Sequence, residues 1–148
     1  MANNGRFSKV LVAIDGSTES MAAVDRAIRI ARNDHAELIA FNAIQLPVMG
    51  YYNPGVLDSV LDKGTTEADN WFRDIERRTR EASVTKVKTQ TVRSSGSPSS
   101  EILSYAEKEN VDLIVMGTKG RGQMRKMLLG STASGVVMNA SCTVMVVR

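Results

Sequence analysis

The sequence predicts an α/β domain built on a five-stranded, mainly parallel sheet. Short apolar runs rich in β-branched residues alternate along the chain with segments whose apolar residues recur every three or four positions. Such alternation is typical of strands and helices in βαβ units. A glycine-rich turn follows the fourth apolar run directly. Ligands of such sheets bind beyond the carboxyl ends of the strands, where the strand order reverses, so this pattern also predicts where a site should lie.

The first strand and helix are predicted from one continuous stretch. Residues 9–14 read KVLVAI, a nearly continuous apolar run that suits a buried parallel strand. Asp15-Gly16-Ser17 ends it, and either Ser17 or Thr18 can cap the helix that follows. Apolar residues at helical spacing carry this helix to about residues 33–34, and they are Val24, Ala27, Ile28 and Ala31.

The middle of the chain is less regular. Residues 37–44 read ELIAFNAI, a second strand, and the prolines and glycines after it predict a loop over residues 47–64. A helix is expected from about Thr65, with its apolar face on Ala68, Trp71, Phe72, Ile75 and Ala82. Residues 86–93 alternate polar and apolar side chains, which predicts a half-exposed strand near a sheet edge.

The last third predicts two more helices and two more strands. Ser97-Pro98 is a helix start, with a hydroxyl cap and a proline in the first turn. A fourth strand is predicted over residues 113–116, a helix over 130–139 and a last strand over 143–147. That last strand is apolar and carries no proline to block pairing at a sheet edge.

Length, charge and cysteine content limit the classes of protein. A chain of 148 residues suits one domain, here residues 1–148, with a real core. Its net charge of +3 is spread along the chain with no dense basic stripe, so we expect no nucleic-acid partner. The N-terminus does not resemble a signal peptide, and no apolar run approaches the roughly 20 residues of a membrane span. We therefore expect a cytoplasmic protein without a membrane partner, in which the single cysteine, Cys142, is a buried inert thiol.

The glycine motif is the strongest functional signal. Gly117 and Gly120 follow the fourth strand, and Gly130-Ser131-Thr132 comes nine residues after Gly120, at a predicted helix start. Glycines let main-chain N–H groups approach a phosphate closely, and a helix N-terminus attracts anions. The pattern is neither the P-loop nor the dinucleotide fingerprint. It predicts a phosphate site, although each glycine alone could serve only to form a tight turn.

Charged residues near the motif have two interpretations each. Asp15 follows the first strand, where a carboxylate could accept hydrogen bonds from a ribose hydroxyl or a base amine. It could equally form an Asx turn or a helix cap. The cations at 119, 121, 125 and 126 could steer a polyphosphate or form a solvated loop, and the sequence favours direct contact for none of them individually.

The chain closely resembles the universal stress protein family, in its ATP-binding branch. The resemblance rests on VLVAIDGSTES near the start, LIAFNAI in the second strand, and VDLIVMGTKGRG, LLGSTASGVV and CTVMVVR near the end. The spacing G-x-x-G, nine residues, G-S/T is met in full. The resemblance covers the whole domain and implies a Rossmann-like doubly wound fold, with a five-stranded sheet and helices on both faces.

The resemblance also implies a set of site residues. Asp15 would lie at the base and ribose, and Ala43 would touch adenine through its main chain. The segment 117–122 would wrap the ribose and phosphates, and residues 130–132 would hold the terminal phosphates. The expected nucleotide-binding residues are Ala13, Asp15, Ala43, Met116, Gly117, Thr118, Gly120, Arg121, Gly122, Gly130, Ser131 and Thr132.

The resemblance implies ATP as ligand, a Mg or Mn ion bound through the phosphates, and a homodimer formed through the strand at 143–147. Three departures from the family pattern stand out. Ala133 replaces a frequent serine, so Thr132 and Ser134 are candidates to supply the missing hydroxyl. Thr143 replaces a proline, and Ala43 replaces a larger valine.

Three functions agree with these residues. The first is a nucleotide-dependent regulatory or stress-response protein that acts on a further protein partner. The second is a slow ATP-hydrolysing enzyme, although no general base is evident near the motif. The third is an interaction module that needs no nucleotide. No catalytic residue is predicted.

Overall fold

The computed structural model describes residues 4–46, 54–119 and 129–148. Five strands form one sheet: β1 (Lys9–Ala13), β2 (Glu37–Gln45), β3 (Val87–Ser94), β4 (Leu113–Gly117) and β5 (Thr143–Val147). Four helices accompany them: α1 (Thr18–Asp34), α2 (Pro54–Glu81), α3 (Pro98–Lys108) and α4 (Ser131–Asn139). The predicted α/β class is confirmed.

The sheet order is β3-β2-β1-β4-β5, and every pair of neighbouring strands is parallel. The chain therefore builds outward from β1 in one direction, then crosses back and builds outward from β4 in the other. β1 and β4 are neighbours at the centre, so their carboxyl ends form the switch point of a doubly wound sheet. The outer strands are β3 and β5, as predicted for both.

Helices cover both faces of the sheet. One apolar core lies between the sheet and helices α1 and α2, with Val24, Ile28 and Ile75 among its members. The other lies between the opposite face and helices α3 and α4, around Ile102 and Val136. The central strands are buried on both sides, which explains why their sequences read as continuous apolar runs.

Helix starts follow the predicted capping chemistry. Ser17, not Thr18, caps α1, since its side chain accepts a hydrogen bond from the Ser20 N–H. Ser97 caps α3 in the same way through the Ser100 N–H, with Pro98 in the first turn. At its other end α1 closes with His35 in the left-handed conformation, φ 56°.

The predicted loop over residues 47–64 is wrong for residues 54–64. Helix α2 begins at Pro54, eleven residues before the expected start at Thr65. Proline is compatible with a first helical turn, so it marks the start of this helix and does not interrupt it. Gly64 lies inside α2, where its lack of a side chain lets the helix approach Ile44: a Cβ there would lie 3.1–3.3 Å from the Ile44 side chain. Residues 47–53 lie outside the described residues.

No helix in the described part of the chain is both long enough and apolar enough to span a membrane.

Candidate functional site

A crevice lies beyond the carboxyl ends of β1 and β4, at the switch point. It encloses about 640 Å³, part of which is open to solvent, and small-molecule sites typically occupy about 300–1,000 Å³. Its walls come from the β1–α1 loop, the end of β4, the start of α4 and the start of α3. The lining residues are Ala13, Ile14, Asp15, Ser20, Phe41, Ala43, Pro98, Ile102, Met116, Gly117, Thr118, Lys119, Gly130, Ser131, Thr132 and Ala133.

The β1–α1 loop places Asp15 on one wall. The Ser17 N–H donates to Asp15 Oδ1 at 2.9 Å, so the carboxylate forms an Asx turn. The Asp15 N–H in turn points at Ser20 Oγ, 3.4 Å away. Gly16 between them has φ +81°, a conformation that suits glycine. The turn that the sequence left as an alternative to a ligand role is therefore present, and it orients a carboxylate that also lines the crevice.

The end of β4 forms the facing wall, and its glycine has a packing role. A Cβ at Gly117 would lie 2.7 Å from the Glu19 Cβ and 2.8 Å from the Glu19 carbonyl carbon. The first turn of α1 thus lies against the end of β4 too closely for any side chain at Gly117. The sequence offers phosphate access or a tight turn as the reason for this glycine, and the structure adds helix–strand packing as a separate reason.

Thr118 connects three elements through its main chain. Its N–H donates to the Val147 carbonyl at the end of β5, at 3.0 Å. Its own carbonyl accepts a hydrogen bond of 2.6 Å from the Gly130 N–H, immediately before α4. The two halves of the glycine motif are therefore joined directly, as two adjoining parts of one wall.

The N-terminus of α4 opens toward the crevice. Gly130 is its N-cap and supplies no side-chain hydrogen bond, unlike the serines that cap α1 and α3. The first main-chain hydrogen bond of α4 runs from the Ser134 N–H to the Gly130 carbonyl, at 2.9 Å. The N–H groups of residues 131–133 come before that first bond. Like the first N–H groups of any helix, they have no acceptor within the helix. Together with the Ser131 and Thr132 hydroxyls they give this end of the crevice a partial positive charge.

The other end of the crevice is apolar. Phe41 of β2 and Ile102 of α3 are 1% and 3% exposed and form its floor, beside Ala43 and Pro98. The Phe41 ring packs on Tyr105, with ring centroids 4.9 Å apart. A crevice with one apolar end and one end rich in N–H and O–H donors suits a ligand with a flat apolar group and an anionic group.

Nine of the twelve predicted site residues line this crevice: Ala13, Asp15, Ala43, Met116, Gly117, Thr118, Gly130, Ser131 and Thr132. Gly120, Arg121 and Gly122 lie outside the described residues. The binding roles of all twelve stay predictions. Of the two candidates to replace the hydroxyl lost at Ala133, Thr132 lines the crevice, whereas Ser134 is not among the lining residues.

Sequence reasoning missed several lining residues. Phe41 shares the strand sequence with Ala43, so the period of two along β2 could have indicated it. Pro98 and Ile102 come from α3, and no sequence signal placed that helix beside the glycine motif. Lys119 also lines the crevice, although the sequence favoured no direct contact for it.

Cys142 does not line this crevice. It is half-buried, so the thiol is more exposed than the buried thiol that the sequence predicts. Burial, followed by the nearby Asp112 carboxylate, raises the pKa of the Cys142 thiol above its ordinary value. A raised pKa keeps the thiol protonated and weakly nucleophilic, in line with an unreactive group.

Comparison with known proteins gives one consistent result. The model of the Universal stress protein family matches residues 6–148. A universal stress protein of Methanocaldococcus jannaschii is 34% identical over 96% of this chain and 82% of that protein. The solved structure of UspA from Lactobacillus plantarum covers 98% of this chain and all of that chain, with TM-score 0.89 and 32% identity. A universal stress protein solved in complex with cAMP covers 97% of this chain and 99% of that chain, with TM-score 0.74 and 27% identity.

Proposed function

Because the chain belongs to the universal stress protein family, we propose that it binds an adenine nucleotide, ATP in the first place, and acts as a nucleotide-dependent regulatory protein. One observation carries this proposal: the N-terminus of α4, whose N-cap residue Gly130 makes no side-chain hydrogen bond, and the Asp15 turn line the same crevice. The cAMP complex of a relative that is 27% identical supports an adenine nucleotide as the ligand class.

The phosphates would lie at the α4 end. A helix start with no side-chain cap leaves main-chain N–H groups to bind an anion. The Ser131 and Thr132 hydroxyls add donors at the same place, and Lys119 adds positive charge on the lining. Hydrogen bonds to a charged group are worth about 1.5–3 kcal/mol each, so this end would supply much of the affinity.

The adenine would lie at the apolar end, against Phe41, Ala43 and Ile102, where burial favours a flat ring. The ribose would then lie between the two ends, beside Asp15. Its hydroxyls are donors and the Asp15 carboxylate is an acceptor, so the orientation set by the Asx turn suits ribose recognition.

A divalent ion would reach this site on the phosphates. In the residues that the structure describes, no three His, Cys, Asp or Glu side chains group together to hold a metal. Mg²⁺ commonly binds through substrate phosphates with few protein ligands, so we propose that Mg or Mn is carried by the nucleotide.

Binding is tested by thermal shift and calorimetric titration with ATP, ADP, AMP and adenosine. Ligand at about 100 times its Kd stabilises a folded protein by about 2.7 kcal/mol, which raises the Tm of a domain of this size by roughly 5–10 °C. Ser131→Ala and Thr132→Ala should each weaken ATP binding about tenfold while leaving adenosine binding unchanged, because adenosine has no phosphate.

Ser134→Ala is the matched control, since Ser134 has the same side chain as Ser131 and lies in the same helix but does not line the crevice. We expect it to bind ATP as the unmodified protein does. Absence of any shift with all four ligands would refute nucleotide binding and favour the nucleotide-independent interaction module. An equal loss in all three variants would refute the assignment of the phosphate end.

We further propose that β5 pairs with β5 of a second copy. It is an outer strand with partly exposed valines, and α4, which precedes it, ends with Val137 and Met138 exposed by 45% and 82%. An apolar outer strand is prone to pair with another chain. Sedimentation should show a dimer that Val146→Lys converts to a monomer, and a monomeric unmodified protein at every concentration tested would refute this interface. A cytoplasmic location and an unidentified protein partner stay predictions.

A further inference from the structure

Trp71 packs directly on Gly16 of the β1–α1 loop and is not among the residues that line the crevice. A Cβ built on Gly16 would lie 2.9 Å from the Trp71 Nε1 and closer still to two carbons of the same indole ring. An indole ring is rigid and cannot move aside as the end of a flexible side chain can. Gly16 therefore has two independent reasons to be glycine: its φ of +81° and the ring that covers it.

The helix that carries Trp71 packs beside α1. Trp71 is the only tryptophan in the chain, it lies on α2, and it packs partly buried against the core that α1 and α2 share. Arg78, two turns further along α2, bonds to Asp25 of α1 at 2.7 Å and to Asp74 at 3.0 Å. The helix that carries the indole is thus attached to the helix that starts at the loop.

Hydrogen bonds also hold the loop. They include the Ser17 N–H to Asp15 Oδ1 at 2.9 Å and a longer contact from the Asp15 N–H to Ser20 Oγ at 3.4 Å. The shorter of these two bonds spans Gly16, the residue on which the indole packs. The Trp71 ring therefore adds a rigid surface at the centre of the Asx turn.

We propose that Trp71 is a positioning residue for the nucleotide site. Its indole holds the main chain of Gly16 so that the Asp15 carboxylate stays in the orientation that accepts ribose hydroxyls. Trp71 is not among the residues that line the crevice, so it acts through Asp15 and not on the ligand. This inference rests on the proposed nucleotide function, because it assigns a second residue to the ribose contact of that site.

The test compares the affinities for ATP and 2′,3′-dideoxy-ATP, which lacks both ribose hydroxyls. The unmodified protein should prefer ATP, and Asp15→Asn, which can keep the Asx turn, should lose that preference. Trp71→Ala should weaken ATP binding about tenfold and leave dideoxy-ATP binding unchanged. The double variant W71A/D15N should be no worse than D15N, since both act on one contact. Trp71→Phe keeps a flat ring and should restore part of the preference.

Ile75→Ala is the matched control. Ile75 lies one turn further along α2, is fully buried and belongs to the same core, whereas the three atoms nearest to a Cβ on Gly16 all belong to Trp71. It should lower the stability and keep the preference for ATP over dideoxy-ATP. If I75A loses the preference as W71A does, or if W71A keeps it, Trp71 has no positioning role.

Failure of this inference and failure of the proposed function give different results. An unmodified protein that binds neither nucleotide refutes the function, and one that binds both equally refutes the roles of Asp15 and Trp71 together. Amide hydrogen exchange tests the loop without any nucleotide. The Ser17 N–H should exchange faster in W71A, but not in I75A once global stability is matched, and unchanged exchange in W71A would overturn the proposal.

Discussion

Replacing Gly117 with alanine tests why a glycine ends β4. The new Cβ would lie 2.7 Å from the Glu19 Cβ, 2.8 Å from its carbonyl carbon and 3.0 Å from its carbonyl oxygen. Two of these atoms are main chain and the third is bonded to it, so none can turn away on a side-chain torsion. Overpacking costs about 1–3 kcal/mol, and we expect the upper part of that range here because α1 or β4 must shift as a unit.

Urea unfolding measures this cost, with the urea midpoint lower in G117A and the m-value unchanged. Gly96→Ala is the control, since the nearest atom to its Cβ is the Ser94 hydroxyl at 3.2 Å, and we expect a change within about 0.5 kcal/mol. Adding Glu19→Ala to G117A should not restore stability, because that change keeps every atom in the overlap. If G117A is as stable as G96A, the close packing of α1 on β4 is not what requires this glycine.

Three further predictions concern capping, titration and thiol reactivity. Ser17→Ala should cost about 1 kcal/mol through loss of the α1 cap, whereas Thr18→Ala should be nearly neutral in the same unfolding experiment. The hydrogen bond from Arg77, against the opposing effect of burial, lowers the pKa of the Asp74 carboxyl below its ordinary value of 3.8. The stability that the ionised Asp74 carboxylate contributes is therefore fully present above the ordinary pKa of the unfolded chain, and it is lost as the pH falls through the lowered pKa of the folded protein. Asp74→Asn should flatten that part of the acid unfolding curve. The raised pKa of Cys142 predicts slower alkylation near neutral pH in the folded protein than in urea, and equal rates would contradict it.

Local signals along the chain predicted most of the fold. The apolar runs at 9–14, 37–44 and 113–116 correspond to central strands that are buried on both faces, where composition alone decides the outcome. The Ser97-Pro98 start was equally local, because the cap and the proline act within one turn. The site followed from topology, since a doubly wound sheet brings the ends of β1 and β4 together.

What the sequence did not show depends on contacts between distant segments. The first part of α2 contains Gly55 and Gly64, which lower helix propensity, and the close approach of Gly64 to Ile44 of β2 is a contact that no local pattern shows. The close approach of Glu19 to Gly117 joins residues about a hundred positions apart, so the sequence could offer only a phosphate role or a tight turn as the reason for this glycine. Pro98 reaches the crevice because α3 packs beside α4, a neighbour relation that no motif encodes.

Thr118 makes the wall of the crevice and the outer edge of the sheet mechanically continuous. Its N–H donates a hydrogen bond to Val147, the last residue of β5, and its carbonyl accepts one from Gly130, the residue before α4. Moving that wall by a fraction of an ångström lengthens one bond or carries the strand end along with it. A displacement of the crevice wall and a displacement of the outer edge are therefore linked through these two bonds, and thermodynamic linkage makes any coupling between ligands bound at the two places equal in both directions. A change inside the crevice would therefore alter the outer edge of the sheet first at the end of β5, where Val147 accepts the Thr118 hydrogen bond.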